Sequence, residues 1–177
     1  MELSNFTTGL EELLAERNSE GENFFHEVAR CGSFSLIARF MPFIRSICAA
    51  EALNTSNIAG RMSIHIAAVN HGKWYAAKLI DILVELGADI NGQESIEGNT
   101  VLHLAVNQRD YELAEWLCCH PDIDLELCNA KNLSPFQLAQ RNKNRKMMQI
   151  LKKYCSNGNT DLVRSASILS ENLNALN

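Results

Sequence analysis

The amino-acid sequence predicts an all-α protein in which about four helix-turn-helix units stack into a solenoid with short hairpin loops. The first observation is a repeat, because related segments begin at Gly21, Gly60, Gly98 and Asn132, 34 to 39 residues apart. The second is that an apolar pattern of helical spacing follows each segment, as in AAKLIDILVELG and YELAEWLC. The third is composition, since only 3 residues are proline, while the helix-forming residues alanine and leucine are plentiful. Self-similarity at this period is the signature of a repeat architecture.

The repeats divide the chain into three parts. Residues 1–20 form an N-terminal segment, in which Leu10, Leu13 and Leu14 predict a short capping helix. Residues 21–155 are predicted to hold the stack, with repeats at 21–56, 57–94, 95–128 and 129–155. Residues 156–177 are expected to be either a tail or a second capping helix. One helix pair cannot bury its apolar face alone, so about three or more must stack.

Residues that favour helix starts and turns stand at the expected places. Thr100 precedes an apolar run, where its hydroxyl can cap the free N–H groups of a first turn. Ser134 and Gln137 have the spacing of a capping box, and Pro135 fits the first helical position. Gly98 permits a left-handed turn.

A histidine recurs at one place in three repeats, as His26, His65 and His103, and Gln137 takes that place in the fourth. Each could be a catalytic base, a metal ligand or part of the scaffold. Three copies of one catalytic base, spaced along a solenoid, could not converge on one substrate. The pattern therefore predicts scaffold residues.

These segments resemble the ankyrin repeat over about residues 20–155. LVELGADIN, residues 83–91, matches the family's ending L-x-x-G-A-D-h-N, where h is apolar. GNTVLHLA departs from the opening G-x-T-P-L-H-x-A only at Val101, while Asn23 and Met62 replace the threonine of the first two repeats. The resemblance implies that each imidazole bonds near the cap and ties neighbouring repeats together.

Cys118, Cys119 and His120 come nearest to a reactive cluster. A zinc site needs four ligands, usually in paired short spacings, and no second pair follows. A Cys–His catalytic pair needs a base oriented by a third group. We expect packing residues here, no catalytic residue, no metal and no cofactor. An enzyme using Cys119 and His120 is the remote alternative.

Charge is unevenly distributed along the chain. Residues 81–130 hold eleven acids and one base, Arg109, whereas residues 131–164 hold eight bases and one acid, Asp161. We predict an acidic middle that steers a basic partner segment towards repeats two and three. The alternative is that both regions are solvated faces that keep the array soluble. For RNKNRK, residues 141–146, we favour a solvated helical face over a nuclear-localisation signal.

Composition also limits the classes of partner and location. The formal net charge of -5 argues against direct nucleic-acid binding. The sequence contains no run of about 18 apolar residues, so we expect no membrane-spanning helix. The first residues lack a basic flank followed by an apolar core, so we expect no secretion. The 6 cysteines are expected to be free thiols.

A narrower resemblance rests on the long second repeat, GRMSIHIAAVNHGKWYAAKLIDILVELGADIN, and on the GNTVLHLAV that follows. It is similar to inhibitors of Rel/NF-κB transcription factors, and in particular to the viral ankyrin proteins of polydnaviruses carried by parasitoid wasps. The resemblance implies an IκB mimic that holds host Rel-homology dimers inactive and suppresses immunity. It implies a monomer when unbound, in the host cytoplasm, with import into the nucleus left open. The sequence contains no Asp-Ser-Gly of a cellular IκB phosphorylation signal, so we expect no release by the host's immune kinase. An ankyrin adaptor or kinase inhibitor is the alternative.

We predict that partner contacts come from hairpin tips, the acidic middle and two aromatic residues of the types found in binding hot spots. The candidate contact residues are Trp74, Tyr75, Asp89, Asn91, Glu94, Glu97, Asn99, Arg109, Asp110, Asn129 and Lys131. The structural signature of the repeat is predicted at His26, His65, Gly98, Thr100, His103, Ser134, Pro135 and Gln137.

Overall fold

The computed structural model describes residue 9 and residues 12–44 and 50–155, so the predicted tail or capping helix at 156–177 lies outside the described residues. Within those ranges every regular element is a helix, which confirms the all-α prediction. The helices are α1 (Phe24–Cys31), α2 (Phe34–Ile44), α3 (Ala50–Leu53), α4 (Ser63–Asn70), α5 (Lys73–Glu85), α6 (Val101–Gln108), α7 (Tyr111–Cys119), α8 (Pro135–Arg141) and α9 (Arg145–Cys155).

Four helical pairs build a solenoid in the described part of the chain. The pairs are α1 with α2, α4 with α5, α6 with α7, and α8 with α9, each joined by a short turn that makes its helices antiparallel neighbours. The first helices contact one another in the order α1, α4, α6, α8, and the second helices α5, α7 and α9 do the same. The core runs through the whole stack, with Phe25, Ile64, Leu102 and Leu113 fully buried.

The first residues hold part of a helix ahead of this stack. Residues 12–15 are helical. Leu14 is buried, while Leu13 is 61% exposed. Leu10, the third member of the predicted stripe, lies outside the described residues. Only one leucine of the stripe is therefore seen to join the core.

Side-chain caps start three of the four first helices. Asn23 accepts from the backbone N–H groups of Phe25 and His26, and Thr100 and Ser134 each accept from the residue three positions on. The second pair differs, because Met62 makes no side-chain cap hydrogen bond. That helix depends more heavily on the histidine at its third position.

Gly98 is the glycine for which a substitution is most informative. Its φ of 64° lies in the left-handed region, and an added Cβ would lie 2.9 Å from the backbone nitrogen of Ala130. We expect Gly98→Ala to lower the free energy of unfolding by about 2–3 kcal/mol, measured by urea denaturation. Gly72→Ala is the control, because its Cβ would meet only Asp110 Oδ2, at 3.5 Å. Equal losses in both variants would contradict this account.

Candidate functional site

In the described part of the chain, four loops form projections, here called fingers, along one edge of the stack. In each, a side chain at the start accepts one or more backbone N–H groups from the rest of the turn. Asn129 Oδ1 accepts from Lys131 at 3.0 Å and from Leu133 at 3.2 Å. The Glu94 carboxylate accepts three such groups at 2.8 to 3.1 Å in a turn one residue longer, which its longer side chain spans. The fingers are residues 18–22, 57–61, 94–99 and 129–133.

Hydrogen bonds join each finger to the next. The backbone N–H of Ile58 donates to the Glu20 carbonyl at 3.0 Å, that of Ser95 to the Gly60 carbonyl at 2.8 Å, and that of Ala130 to the Glu97 carbonyl at 2.8 Å. Lys131 Nζ also lies 2.5 Å from a Glu97 carboxylate oxygen. The row of fingers is therefore held in one arrangement before any partner arrives, which reduces the entropy lost on binding.

Two exposed isoleucines at the finger tips were missed by the sequence analysis. Ile58 is 75% exposed and Ile96 is 70% exposed, and they occupy neighbouring tips. The available signal was a large apolar residue inside a turn of Asn, Gly and Ser, where packing does not require one. Neighbouring exposed apolar side chains on a rigid edge are suited to protein binding.

Acidic side chains gather on the loops that lead into the fingers. The loop after α5 and the loop after α7 are joined by Asn91, whose Nδ2 donates to the Asp122 carbonyl at 2.7 Å. Asn91 Oδ1 accepts from the backbone N–H of Asp124 at 2.8 Å. We call the exposed acids of these two loops the acidic loop patch: Asp89, Asp122, Asp124 and Glu126.

Three residues predicted as partner contacts are structural instead. Glu94, Asn99 and Asn129 are only 6%, 3% and 7% exposed. The Glu94 carboxylate closes its own turn, and Asn129 Nδ2 donates to Asn99 Oδ1 at 2.9 Å. Their side chains face neighbouring loops and cannot reach a partner. Of the other predicted contacts on the fingers and on the loops that lead into them, Asp89, Glu97 and Lys131 are exposed and Asn91 is half-buried.

The remaining predicted contacts lie elsewhere. Trp74 and Tyr75 lie in the first turn of α5, and Arg109 and Asp110 lie between α6 and α7, at the opposite end of the helices from the fingers. Tyr75, predicted as a partner contact, is half-buried, and its hydroxyl donates to the Gly32 carbonyl at 2.6 Å, so it joins neighbouring repeats. Trp74 is 54% exposed. The residues that we predicted to form one contact surface therefore lie on two separate edges of the stack.

The three recurring histidines bridge successive repeats. In His103, Nδ1 accepts from the Thr100 backbone N–H at 3.3 Å, and Nε2 donates to the Leu133 carbonyl at 2.9 Å. His26 Nε2 bonds to the Arg61 carbonyl of the following repeat at 3.1 Å, and His65 Nε2 bonds to the Gly92 carbonyl, in the loop that leads to the following repeat, at 3.0 Å. Burial lowers the pKa of all three, and that of His65 to about 4. Each ring is a neutral strut between repeats, and the rings do not converge on a pocket.

The cysteine pair lies inside the stack. Cys118 and Cys119 are 1% and 3% exposed, and burial raises the pKa of the Cys118 thiol. The Cys119 thiol donates to the Tyr154 hydroxyl at 3.3 Å, and His120 Nδ1 accepts from the Asp122 backbone N–H at 3.3 Å. Both groups are engaged in packing and loop contacts.

Two further searches covered only the residues that the structure describes. In those ranges, no three or more His, Cys, Asp or Glu side chains are arranged to hold a metal ion. None of the helices there combines the length and the apolar character needed to cross a bilayer.

Comparison with known proteins identifies the family. A family model described as ankyrin repeats in three copies matches residues 4–127. The I-Kappa-B like protein H1 of Microplitis demolitor bracovirus is 38% identical over 141 residues, which is 80% of this chain and 72% of that protein. The chain belongs to the viral I-Kappa-B like ankyrin-repeat proteins. The resemblance predicted from the two central repeats is confirmed.

Two more I-Kappa-B like proteins of the same virus have comparable sequence identity to this chain. Protein C2 is 37% identical over 138 residues, covering 78% of this chain and 75% of its own length. Protein N1 is 42% identical over 113 residues, covering 64% of this chain and 78% of its own length. In this I-Kappa-B like chain, the pair α8 and α9 extends the solenoid beyond the residues that the family model matches. Family and fold indicate a protein-binding scaffold.

Proposed function

We propose that this protein is a non-enzymatic IκB mimic that holds host Rel/NF-κB factors in an inactive complex and so suppresses the host immune response. The observation that carries the proposal is the pre-ordered row of fingers, with exposed Ile58 and Ile96, beside the acidic loop patch. Membership of the I-Kappa-B like family supports Rel-homology dimers as the partner. On this proposal the protein acts in the cytoplasm of the host cell.

The two parts of this surface have different physical tasks. The isoleucines supply apolar area that is lost from water when the partner binds, which slows dissociation. The acidic loop patch attracts a basic segment, such as the nuclear-localisation segment of a Rel protein, and accelerates encounter. Covering that segment would keep the bound factor out of the nucleus. Because the sequence contains no Asp-Ser-Gly, we further propose that the host's immune kinase does not trigger release.

The proposal predicts that binding depends on the acidic loop patch. We expect the variant Asp89→Asn, Asp122→Asn, Asp124→Asn, Glu126→Gln to bind a Rel-homology dimer about tenfold more weakly, chiefly through slower association. Amides preserve the bonds in which Asp89 and Asp124 accept backbone N–H groups, so the loops keep their shape. Surface plasmon resonance at low and high salt measures both rates, and the difference between variants should shrink at high salt.

The control neutralises four exposed acids that belong to neither loop of the patch, through Glu12→Gln, Glu16→Gln, Glu27→Gln and Glu112→Gln. We expect its association rate to stay near that of the unmodified protein. Equal losses in both variants would show that only net charge matters, and would remove the patch from the proposal. Failure of the unmodified protein to bind any of a panel of Rel-homology dimers would overturn the proposed function.

A further inference from the structure

In or directly after the turn between the two helices of each pair, one residue lies in the left-handed region. In the first, third and fourth turns it is Gly32, Arg109 and Lys143, with φ 65°, 57° and 52°. After the second turn it is Lys73, the first residue of α5, with φ 58°. Glycine is the usual residue here, because it has no Cβ to strain the backbone. A cation at three successive strained positions is not what stability alone would favour. We call Lys73, Arg109 and Lys143 the cationic ridge.

Contacts between neighbouring turns place the ridge along one edge of the stack. The Lys73 backbone N–H donates to Asp110 Oδ2 at 2.6 Å, which joins the second turn to the third. The Tyr111 hydroxyl lies 3.3 Å from Asn144 Oδ1, which joins the third turn to the fourth. Lys146 Nζ lies 4.2 Å from the centre of the Tyr111 ring and adds a fourth cation to the same edge.

The carboxylates near the ridge do not cancel its charge. Asp110 accepts backbone N–H groups from Lys73 and Leu113. Glu112 lies 3.8 Å from Lys73 Nζ, and both side chains are more than half exposed, so this pair is weak. Among the residues that the structure describes, no carboxylate forms an ion pair with Arg109 or Lys143. The ridge is therefore positive on a chain whose formal net charge is -5.

A cleft opens between the second and third turns of this edge. It has a volume of about 540 Å³, and Lys73, Arg109 and Lys146 are among its lining residues. Trp74, 54% exposed, follows Lys73 in the chain and packs edge-on against Tyr75, with ring centres 5.5 Å apart. The edge thus offers a row of cations, a cleft and an exposed aromatic side chain.

We propose that the cationic ridge binds an extended acidic peptide segment, with carboxylates against Lys73, Arg109 and Lys143 and an apolar residue against Trp74. Cations repeated at successive turns match an extended chain, whereas one compact anion would reach only one or two of them. A long polyanion such as nucleic acid carries more charge per unit length than a peptide, so the negative net charge of the chain repels it more strongly. This surface is separate from the fingers and does not depend on the identity of the Rel partner.

The test uses a variant that should fold at least as well as the unmodified protein. In Lys73→Gly, Arg109→Gly, Lys143→Gly, glycine adopts the left-handed backbone without strain, so we expect an equal or higher Tm. The probe is a fluorescein-labelled peptide of nine glutamates and one leucine, followed by fluorescence anisotropy. We expect salt-sensitive binding to the unmodified protein and binding weaker by about tenfold or more in the variant.

Two controls separate the ridge from general effects. Arg61→Gln, Lys131→Gln removes exposed cations from the fingers. Asn132→Gly relieves the fourth left-handed non-glycine residue of the described ranges, φ 55°. We expect both to bind the peptide as the unmodified protein does. The proposal is overturned if the ridge variant keeps its affinity, if the finger variant loses as much, or if a ten-nucleotide single-stranded DNA binds more tightly than the peptide.

Discussion

Replacing His65 with alanine should lower the free energy of unfolding by about 3–5 kcal/mol, among the largest effects of any single substitution in the stack. His65 is fully buried. Its Nδ1 accepts from the Met62 backbone N–H at 3.2 Å, and its Nε2 donates to the Gly92 carbonyl at 3.0 Å. Alanine leaves both backbone groups without these partners, at about 1–3 kcal/mol each, and adds a cavity. Urea denaturation followed by circular dichroism measures the loss.

Repeat four supplies a matched comparison within the same chain. Gln137 stands where the histidine does elsewhere, is exposed, and accepts from the Ser134 backbone N–H at 2.9 Å. We expect Gln137→Ala to lower the free energy of unfolding by about 1 kcal/mol or less. The loss in His65→Gln should lie between the losses in His65→Ala and Gln137→Ala. A loss at His65→Ala no larger than at Gln137→Ala would contradict the role of His65 as a strut.

The caps could be predicted from sequence because they depend on neighbours a few residues away. Thr100 and Ser134 precede apolar runs, and each needs only the residue three positions on to make its bond. The same local argument predicts that the first helix of the second pair lacks a side-chain cap. Met62 cannot cap a helix through its side chain, and this could also be expected from the residue type.

Glu94 could not be assigned correctly from the charge pattern. Counting acids between residues 81 and 130 treats every carboxylate as solvated, whereas Glu94 is 6% exposed. Its burial follows from a turn that is one residue longer than the finger at Asn129, and from three N–H groups that converge on it. Turn length and convergence are properties of the folded loop, and the order of residues alone does not reveal them.

The placement of acidic and basic side chains on two separate edges also could not be predicted from the sequence. Asp89 and Arg109 are twenty residues apart and belong to one acidic region by composition, yet they lie at opposite ends of the helices. The αL backbone of Arg109 and Lys143 gives no signal in a sequence, because glycine is the residue from which such turns are normally predicted. The sequence therefore identified the acidic surface and missed the cationic ridge.

Lowering the pH from 7 to 5 should destabilise the protein through its three buried histidines. Burial holds the pKa of His65 at about 4, below the ordinary 6.5, and lowers the pKa of His26 and His103. An unfolded chain takes up protons as the pH falls through 6.5, while these rings stay neutral in the folded chain. The stability that they contribute is therefore complete above 6.5 and is lost towards the folded pKa. His65 alone should account for about 2 kcal/mol by pH 5.

Urea denaturation at several pH values measures this slope, and His65→Gln tests its origin. Glutamine does not titrate, so the variant should lose about 2 kcal/mol less than the unmodified protein between pH 7 and 5. Asp81, whose pKa is raised by burial, acts in the opposite direction, but it does so in both proteins and cancels in the comparison. Identical slopes would mean that the imidazole of His65 gains its proton as easily when folded as when unfolded. A ring that bridges the Met62 N–H and the Gly92 carbonyl inside the core cannot do that, because a proton on Nδ1 would take the lone pair that accepts the Met62 N–H.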